Sequence, residues 1–289
     1  MNIVFAESIG MTEDLKNLFY DEMMDLGHTV KYYNDCPSDQ VELLKRSIDA
    51  DILVVSNYTV SNEVVEKLVN LKMIAIAFTG VDHIPLDLCR SKGIVICNVA
   101  GYSTQAVAEL TIASVINLLR NIVPLDKITR EGGTRNGFLG GELKGKTFGI
   151  IGFGAIGERV AKLAQAFGCK VIAWSRSKKN FDGIEFVQLE TLLKNADIVS
   201  LHLPLNENTK GLINEKSLGL MKPNSILINT ARGPIVDSTA LSLALKNRII
   251  AGAAIDVYEH EPPIESNHPL IDAPNTILLP HIGFATHEA

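Results

Sequence analysis

Two sets of residues in this 289-residue sequence have types and spacings that could do chemistry. The first is Gly152, Gly154 and Gly157, a G-x-G-x-x-G run inside TFGIIGFGAIGERVAKLAQAFGCKVIAWSR (147–176). The apolar run Phe148–Ile151 before it predicts a buried parallel strand. After it, Glu158–Phe167 sets Val160, Ala161, Leu163, Ala164 and Phe167 at helical spacing, Gly168 stops the helix, and Lys170–Trp174 predicts a second strand. In that context Gly152 permits a tight turn, Gly154 lets backbone approach a pyrophosphate, and Gly157 allows close helix–strand packing. The amides of Ala155 and Ile156, at the helix start, would take the phosphate charge. The chemistry implied is the binding of a dinucleotide.

The second set is Arg232 in NTARG, Glu261 in DVYEHEPP and His281 in LLPHIGFAT. An arginine's planar fork matches a carboxylate. A histidine titrates near neutrality and can hand a proton to a carbonyl oxygen. A carboxylate beside an imidazole favours its charged form and fixes its tautomer. Hydride transfer to an oxo acid needs these three groups besides a cofactor. Spacing alone does not bring them together. A hydrogen-bonded structural histidine, a solvated loop glutamate and a surface arginine ion pair stay open on the pattern.

The elements that must position these residues are strands and helices in alternation. Ile3–Ala6, Thr29–Tyr33, Asp51–Val55, Met73–Ala77 and Ile94–Cys97 read as strands, with helical patterns such as Glu13–Leu26 and Asn62–Leu68 between them. This predicts a parallel sheet covered by helices on both faces. The unit precedes the glycine run and has none of its own, so it is expected to be a separate domain. Ser103–Arg120 reads as a long apolar helix opened by Ser103 and Thr104 and running on towards Arg130. Glu109, inside its apolar face, reads as a structural hydrogen-bonding group. Residues 132–145 read as a loop of turns. Past the glycines, Asp197–Leu201, Ser225–Asn229 and Ile249–Asp256 are the strand candidates. Ligands of open α/β sheets sit beyond the carboxyl ends of strands. His202, the stretch Asn229–Thr230–Ala231–Arg232, and Asp256 are therefore expected to line the cleft, with Pro204 starting the loop beyond its strand.

Composition narrows the rest. The length suits two domains, and 46% apolar residues with a net charge of −6 describe a globular protein. That acidic balance argues against sequence-independent nucleic-acid binding. Cys36, Cys89, Cys97 and Cys169 are scattered without a C-x-x-C pair, as expected of free thiols in a reducing cytosol, and no metal site is expected. No apolar run reaches membrane-spanning length, and the first strand starts almost at Met1, leaving no room for a signal peptide. The expectation is a cytoplasmic protein with neither membrane nor nucleic-acid partner.

NTARGPIVD (229–237), AGAAIDVYEHEPP (251–263) and LLPHIGFATHEA (278–289), behind the glycine run, resemble the D-isomer-specific 2-hydroxyacid dehydrogenases. That family includes phosphoglycerate, hydroxypyruvate/glyoxylate and D-lactate enzymes. FTGVDHI (78–84), GYSTQAVAELT (101–111) and LPLNENTKGLIN (203–214) extend the match over nearly the whole chain. The resemblance implies an α/β protein of two doubly wound parallel sheets, with a Rossmann cofactor domain, 99–282, inserted in a flavodoxin-like substrate domain, 1–98 plus 283–289. The cleft would lie between them, with hinges near Val99–Gly101 and His281–Gly283. By the same resemblance Arg232, Glu261 and His281 are catalytic, and reversible reduction of a small 2-oxo acid to the D-2-hydroxy acid is the expected activity. Ala155 and Ile156 would meet the pyrophosphate, Thr230 and Asp256 the nicotinamide, and Pro204 and Thr209 the adenosine side. Ala231, Arg232 and His281 belong to the same cofactor-binding set, and the Gly80–Val81 backbone would bind the substrate carboxylate. A homodimer built on 103–145 is implied as well.

The chain departs from the family at one telling place. Many NAD-specific relatives carry an acidic residue at the end of the second nucleotide-domain strand, where this sequence has Ser175, then Arg176, Ser177, Lys178 and Lys179. Without a carboxylate to repel a 2′-phosphate, and with Arg176 and Ser175 to bind one, NADP(H) is favoured over NAD(H). The sequence also stops at Ala289, within the stretch that precedes a returning helix in the family, so either a tail is missing from it or the C-terminal part of the substrate domain is short. The segments expected around the substrate side chain, 56–60, 78–83 and Tyr102, hold no lysine or arginine, which favours small or apolar 2-oxo acids, such as glyoxylate, hydroxypyruvate, pyruvate or a branched analogue, over phosphohydroxypyruvate. The rival readings are a formate- or phosphite-type dehydrogenase of the same family and a dinucleotide-sensing, corepressor-like binding protein.

Overall fold

A computed structural model describes residues 1–176, 180–261 and 263–289. Ser177, Lys178 and Lys179, which entered the reading of cofactor preference, lie outside the described residues. The chain divides into two compact units, Met1–Tyr102 and Ser103–Ala289. Residues 283–289, expected with the first domain, group with the second unit, where the Gly283 amide donates to Asp256.

In the first unit β1 (Asn2–Phe5), β2 (Thr29–Tyr32), β3 (Ile52–Val55), β4 (Met73–Ile76) and β5 (Val95–Asn98) form an all-parallel sheet in the order β2-β1-β3-β4-β5. Each lies within a residue of the strand read from the sequence. Helices α1 (Glu13–Asp25), α2 (Gln40–Ser47), α3 (Asn62–Lys67) and α4 (Leu86–Ser91) make the crossovers, and Thr12, Asp39 and Ser61 cap the first three by accepting a backbone N–H. This strand order is that of flavodoxin-like folds.

The second unit opens with α5 (Thr104–Arg120). Contrary to the expected continuous helix, the chain breaks at Asn121, whose φ of 52° is left-handed, and α6 (Ile122–Arg130) leaves at a bend of 59°. The reason is covalent. Pro124 has no N–H and is tolerated only in a first helical turn, so the helix must restart just before it. Ser103 holds the N-cap position without a side-chain capping bond. Among the described residues no single helix is long and apolar enough to cross a membrane.

Seven parallel strands follow: β6 (Thr147–Ile151), β7 (Lys170–Trp174), β8 (Ile184–Phe186), β9 (Ile198–Leu201), β10 (Ile226–Asn229), β11 (Gly252–Ile255) and β12 (Thr276–Leu278). Their order, β12-β11-β10-β9-β6-β7-β8, reverses between β6 and β9. That is the doubly wound Rossmann order with one added edge strand. Side chains alternate across the sheet. Phe148 and Ile150 pack beneath α5 and α7 (Ala155–Ala166) with Ile112, Val115, Val160 and Ala164. Ile151, Val199 and Leu201 face α8 (Leu189–Asn195) and α10 (Ser238–Lys246) with Leu192, Leu193 and Leu241. Glu109 on α5 is exposed and accepts from Gln105, whose own oxygen accepts from Arg159 Nε at 2.5 Å, the structural role read for it.

Candidate active site

The glycine turn joins β6 to α7. Gly152 has φ of 97°, and a Cβ there would lie 2.3 Å from the His202 carbonyl oxygen. A Cβ on Gly157 would lie 2.2 Å from the Gly152 oxygen, so helix and turn touch through backbone. Above Gly154, the N-cap of α7, nothing lies within 4 Å of where a Cβ would be. Ala155 and Ile156 are the first two residues of this helix, whose N-terminal N–H groups carry its positive dipole end. A cavity of about 540 Å³ opens beside the turn, lined by Gly152, Phe153, Gly154, Trp174, Ser175, Arg176 and the segment from His202 to Leu212 that includes Pro204 and Thr209. The Thr209 hydroxyl donates to the Pro204 carbonyl at 2.7 Å and so shapes its own loop. His202 Nε2 lies 2.9 Å from Ser200 Oγ, and burial drives its pKa down to about 3, leaving the ring neutral at physiological pH. Glycine backbone, open helix terminus and adjoining cavity fit a dinucleotide: the turn and α7 would hold the pyrophosphate, and the cavity the adenosine side.

The other candidates sit beyond the carboxyl ends of three neighbouring strands, β10, β11 and β12. Arg232 follows β10. Asn229, fully buried, shapes this turn: its Oδ1 accepts from the Ala231 amide at 3.1 Å and its Nδ2 donates to the Arg232 carbonyl at 3.0 Å. Thr230 Oγ1 lies 3.1 Å from Thr111 Oγ1 on α5, and Thr111 itself donates to Val107, so the Thr230 hydroxyl is the donor. Glu261 follows β11, and its Oε2 accepts from the Tyr258 amide at 3.0 Å. His281 follows β12, with Nδ1 2.8 Å from Glu261 Oε1 and the two side chains 23% and 20% exposed. The Phe284 ring meets the imidazole edge-on at 5.7 Å. The structure thus brings Glu261 and His281 into contact. It puts Arg232 on the adjacent segment, where a Cβ on Gly233 would lie 2.0 Å from the Tyr258 carbonyl carbon.

His281 has φ of 56°, a left-handed conformation that costs a non-glycine residue about 1–2 kcal/mol. Asp256, 2% exposed at the end of β11, offsets that strain: Oδ1 accepts from Ile282 N and Oδ2 from Gly283 N, both at 2.8 Å. Burial pushes the Asp256 carboxyl above its ordinary range, against the pull of those two amides. The sequence pointed to Asp256 as a residue lining the cleft and gave no sign of this grip, which needs the β11–β12 pairing to be known. Glu259, His268 and the close approach of Gly233 to Tyr258 also escaped the sequence reading, although the doubled acid in Y-E-H-E was a signal. Chemically, an imidazole paired through Nδ1 to a carboxylate can exchange a proton at Nε2.

In the first unit Gly80 and Val81 lie in the loop after β4, where Asn98 Nδ2 donates to the Thr79 carbonyl at 2.6 Å and the Val81 carbonyl accepts from Ile84 N at 3.1 Å.

A family model described as D-isomer specific 2-hydroxyacid dehydrogenase, NAD binding domain, matches residues 112–283. A glyoxylate reductase of Thermococcus litoralis is 44% identical over 256 residues, 84% of this chain and 76% of that protein. A hydroxypyruvate reductase of Thermotoga maritima is 41% identical over 252 residues, 86% of this chain and 82% of its own. Among solved structures, the acyclic imino acid reductase Bsp5 in complex with NADPH and D-Arg superposes with a TM-score of 0.91 at 33% identity, covering 100% of this chain and 92% of that one.

Proposed function

The chain belongs to the D-isomer-specific 2-hydroxyacid dehydrogenases, and on that premise we propose that it reduces a small 2-oxo acid, such as glyoxylate or hydroxypyruvate, to the D-2-hydroxy acid. The observation that carries the reading is the 2.8 Å contact of His281 Nδ1 with Glu261, beyond the strand ends of a dinucleotide-binding sheet. Bound NAD(P)H supplies the hydride. Arg232 holds the substrate carboxylate. His281 gives its Nε2 proton to the carbonyl oxygen as negative charge gathers there, while Glu261 keeps Nδ1 protonated and steadies the imidazolium. In the reverse direction Nε2 takes the hydroxyl proton. Thr230, Ala231 and Asp256 border the nicotinamide side, and Pro204 and Thr209 the adenosine side.

NADP(H) is the favoured coenzyme, because Ser175 and Arg176 line the cavity and no carboxylate does among the described residues. A homodimer is supported by exposed Ile122 and Val123 on α6 and by Leu139, 92% exposed. The four scattered free cysteines support a reducing cytoplasm.

The test is turnover of glyoxylate, hydroxypyruvate, pyruvate and phosphohydroxypyruvate with each reduced coenzyme. His281→Ala is expected to lower kcat by at least about a hundredfold, the contribution of a general acid, with coenzyme affinity kept. Tight coenzyme binding without oxidation of either coenzyme would move the assignment to a dinucleotide-sensing protein.

A further inference from the structure

Beside the Glu261–His281 pair stands a second glutamate–histidine pair with no part in the steps above. Glu259 Oε2 lies 3.1 Å from His268 Nε2. The opposite ring nitrogen, Nδ1, accepts from the Leu270 amide at 3.3 Å, so the proton sits on Nε2 and is donated to Glu259. Ser238, at the start of α10, also donates to Glu259. Burial pushes the Glu259 carboxyl up, but the hydrogen bonds from Ser238 and His268 outweigh it and the net direction is down, so the group is an anion at neutral pH. The His268 side chain is 12% exposed and its ring meets that of Tyr258 edge-on at 5.5 Å.

These contacts join two segments. Ser238 lies six residues beyond Arg232, and Glu259 lies two before Glu261. The same segments meet again where Gly233 packs on the Tyr258 backbone, the residue whose amide holds Glu261. The Tyr258 hydroxyl, donating to the Ile255 carbonyl at 3.2 Å, anchors the ring in the core. Nothing in the reaction requires a side chain at 259, yet its acceptor oxygen closes the bracket between the arginine-bearing turn and the loop that offers Glu261.

We infer that Glu259 is a positioning residue: clamped by His268 and Ser238, it fixes the 258–261 loop so that Glu261 meets His281 in register with Arg232. This rests on the dehydrogenase reading, and its test separates the two. Glu259→Ala is expected to lower kcat with glyoxylate about a hundredfold, as misplacement of a catalytic group by about 1 Å does. KM for the coenzyme, and quenching of Trp174 in the cofactor cavity, should hold within about threefold, the scatter of an uncoupled site. Glu259→Gln keeps an acceptor oxygen for both donors and should recover most of the rate. In a Glu261→Gln background Glu259→Ala should cost little more, because it acts through Glu261; losses that multiply would overturn the proposal. A readout free of turnover is the downfield proton signal of His281 Nδ1–H, assigned by its loss in His281→Ala. It should vanish in Glu259→Ala and persist in Glu259→Gln; persistence in both overturns the proposal. Should Glu259→Ala fail to bind coenzyme, His268→Gln is judged by the same criteria. A parent protein that turns over none of the 2-oxo acids defeats the dehydrogenase reading, and the proton signal still decides the bracket.

Discussion

Replacing Asp256 by asparagine asks whether the left-handed backbone at His281 is held by a carboxylate grip. In the parent, two charge-assisted hydrogen bonds of 2.8 Å, each worth about 1.5–3 kcal/mol, act on Ile282 and Gly283. Together they exceed the strain of about 1–2 kcal/mol that φ of 56° imposes on a histidine. Asparagine is the same size but offers one oxygen, and its NH2 would face an amide that also donates. A single neutral bond of about 0.5–1.5 kcal/mol then only balances the strain, and the donor–donor conflict tips it. The held geometry becomes the minor state by about 1–2 kcal/mol, which predicts a fall in kcat of about five- to thirtyfold. Steady-state reduction of glyoxylate at saturating coenzyme measures it. An Asp256→Asn enzyme with kcat within twofold of the parent refutes the reasoning.

The same residue makes a prediction about pH in which activity and stability move in opposite directions. Burial holds the Asp256 pKa above its ordinary 3.8. Between that ordinary value and the raised one the folded protein binds the proton and the unfolded chain does not, so acidification through this window adds stability. The added proton also takes an acceptor from the amides and loosens the 281–283 turn. Reduction, which consumes a proton, should therefore lose kcat on the acid side at a pH above the usual carboxylate range, without parallel unfolding. Loss of the acid limb in Asp256→Asn would assign it.

Two further substitutions probe the cofactor site. Gly152→Ala must place a Cβ 2.3 Å from the His202 oxygen at φ of 97°, so coenzyme affinity, read by Trp174 quenching, should weaken by more than about tenfold, the equivalent of 1.4 kcal/mol; unchanged affinity would show that the turn relaxes freely. Arg176→Ala should lower kcat/KM for NADPH by about ten- to a hundredfold through loss of a charge-assisted bond, leaving NADH nearly unchanged. A parent that already prefers NADH strongly would refute the 2′-phosphate role.

Much of this architecture is legible without coordinates. The stretch 147–176 reads as strand, glycine turn, helix and strand because each piece keeps its own period, and the two strands fall at or within a residue of the bounds read for them. Errors fall where side-chain polarity is silent about the backbone. Ile122 and Val123 continue the apolar pattern of α5, yet Asn121 turns left-handed between them. Ile249–Ala251 look like strand, but the Ile249 amide bonds back to Ala244 to close α10, Arg248 takes φ of 56°, and β11 begins only at Gly252. β8 and β12 are three-residue edge strands without a buried residue, too short and too exposed to leave an apolar signal.

That last omission explains why the candidate site could be named but not assembled. Glu261 and His281 are separated by a loop whose length says nothing about where it returns. Their meeting is decided by β12, whose parallel pairing with β11 sets Ala253 against Thr276 and Ile255 against Leu278. Since β10 and β11 are in turn paired, with Asn229 opposite Ile255, three consecutive strands end level with one another. Each then delivers one side chain past its carboxyl end: Arg232, Glu261 and His281. A strand of three residues contributes little to the core, but its register fixes which residue faces Glu261. A shift of one residue would turn successive side chains to opposite faces of the sheet. The Asp256 grip on Ile282 and Gly283 secures that register from the strand's far end, so His281 is positioned by backbone pairing as much as by its carboxylate partner.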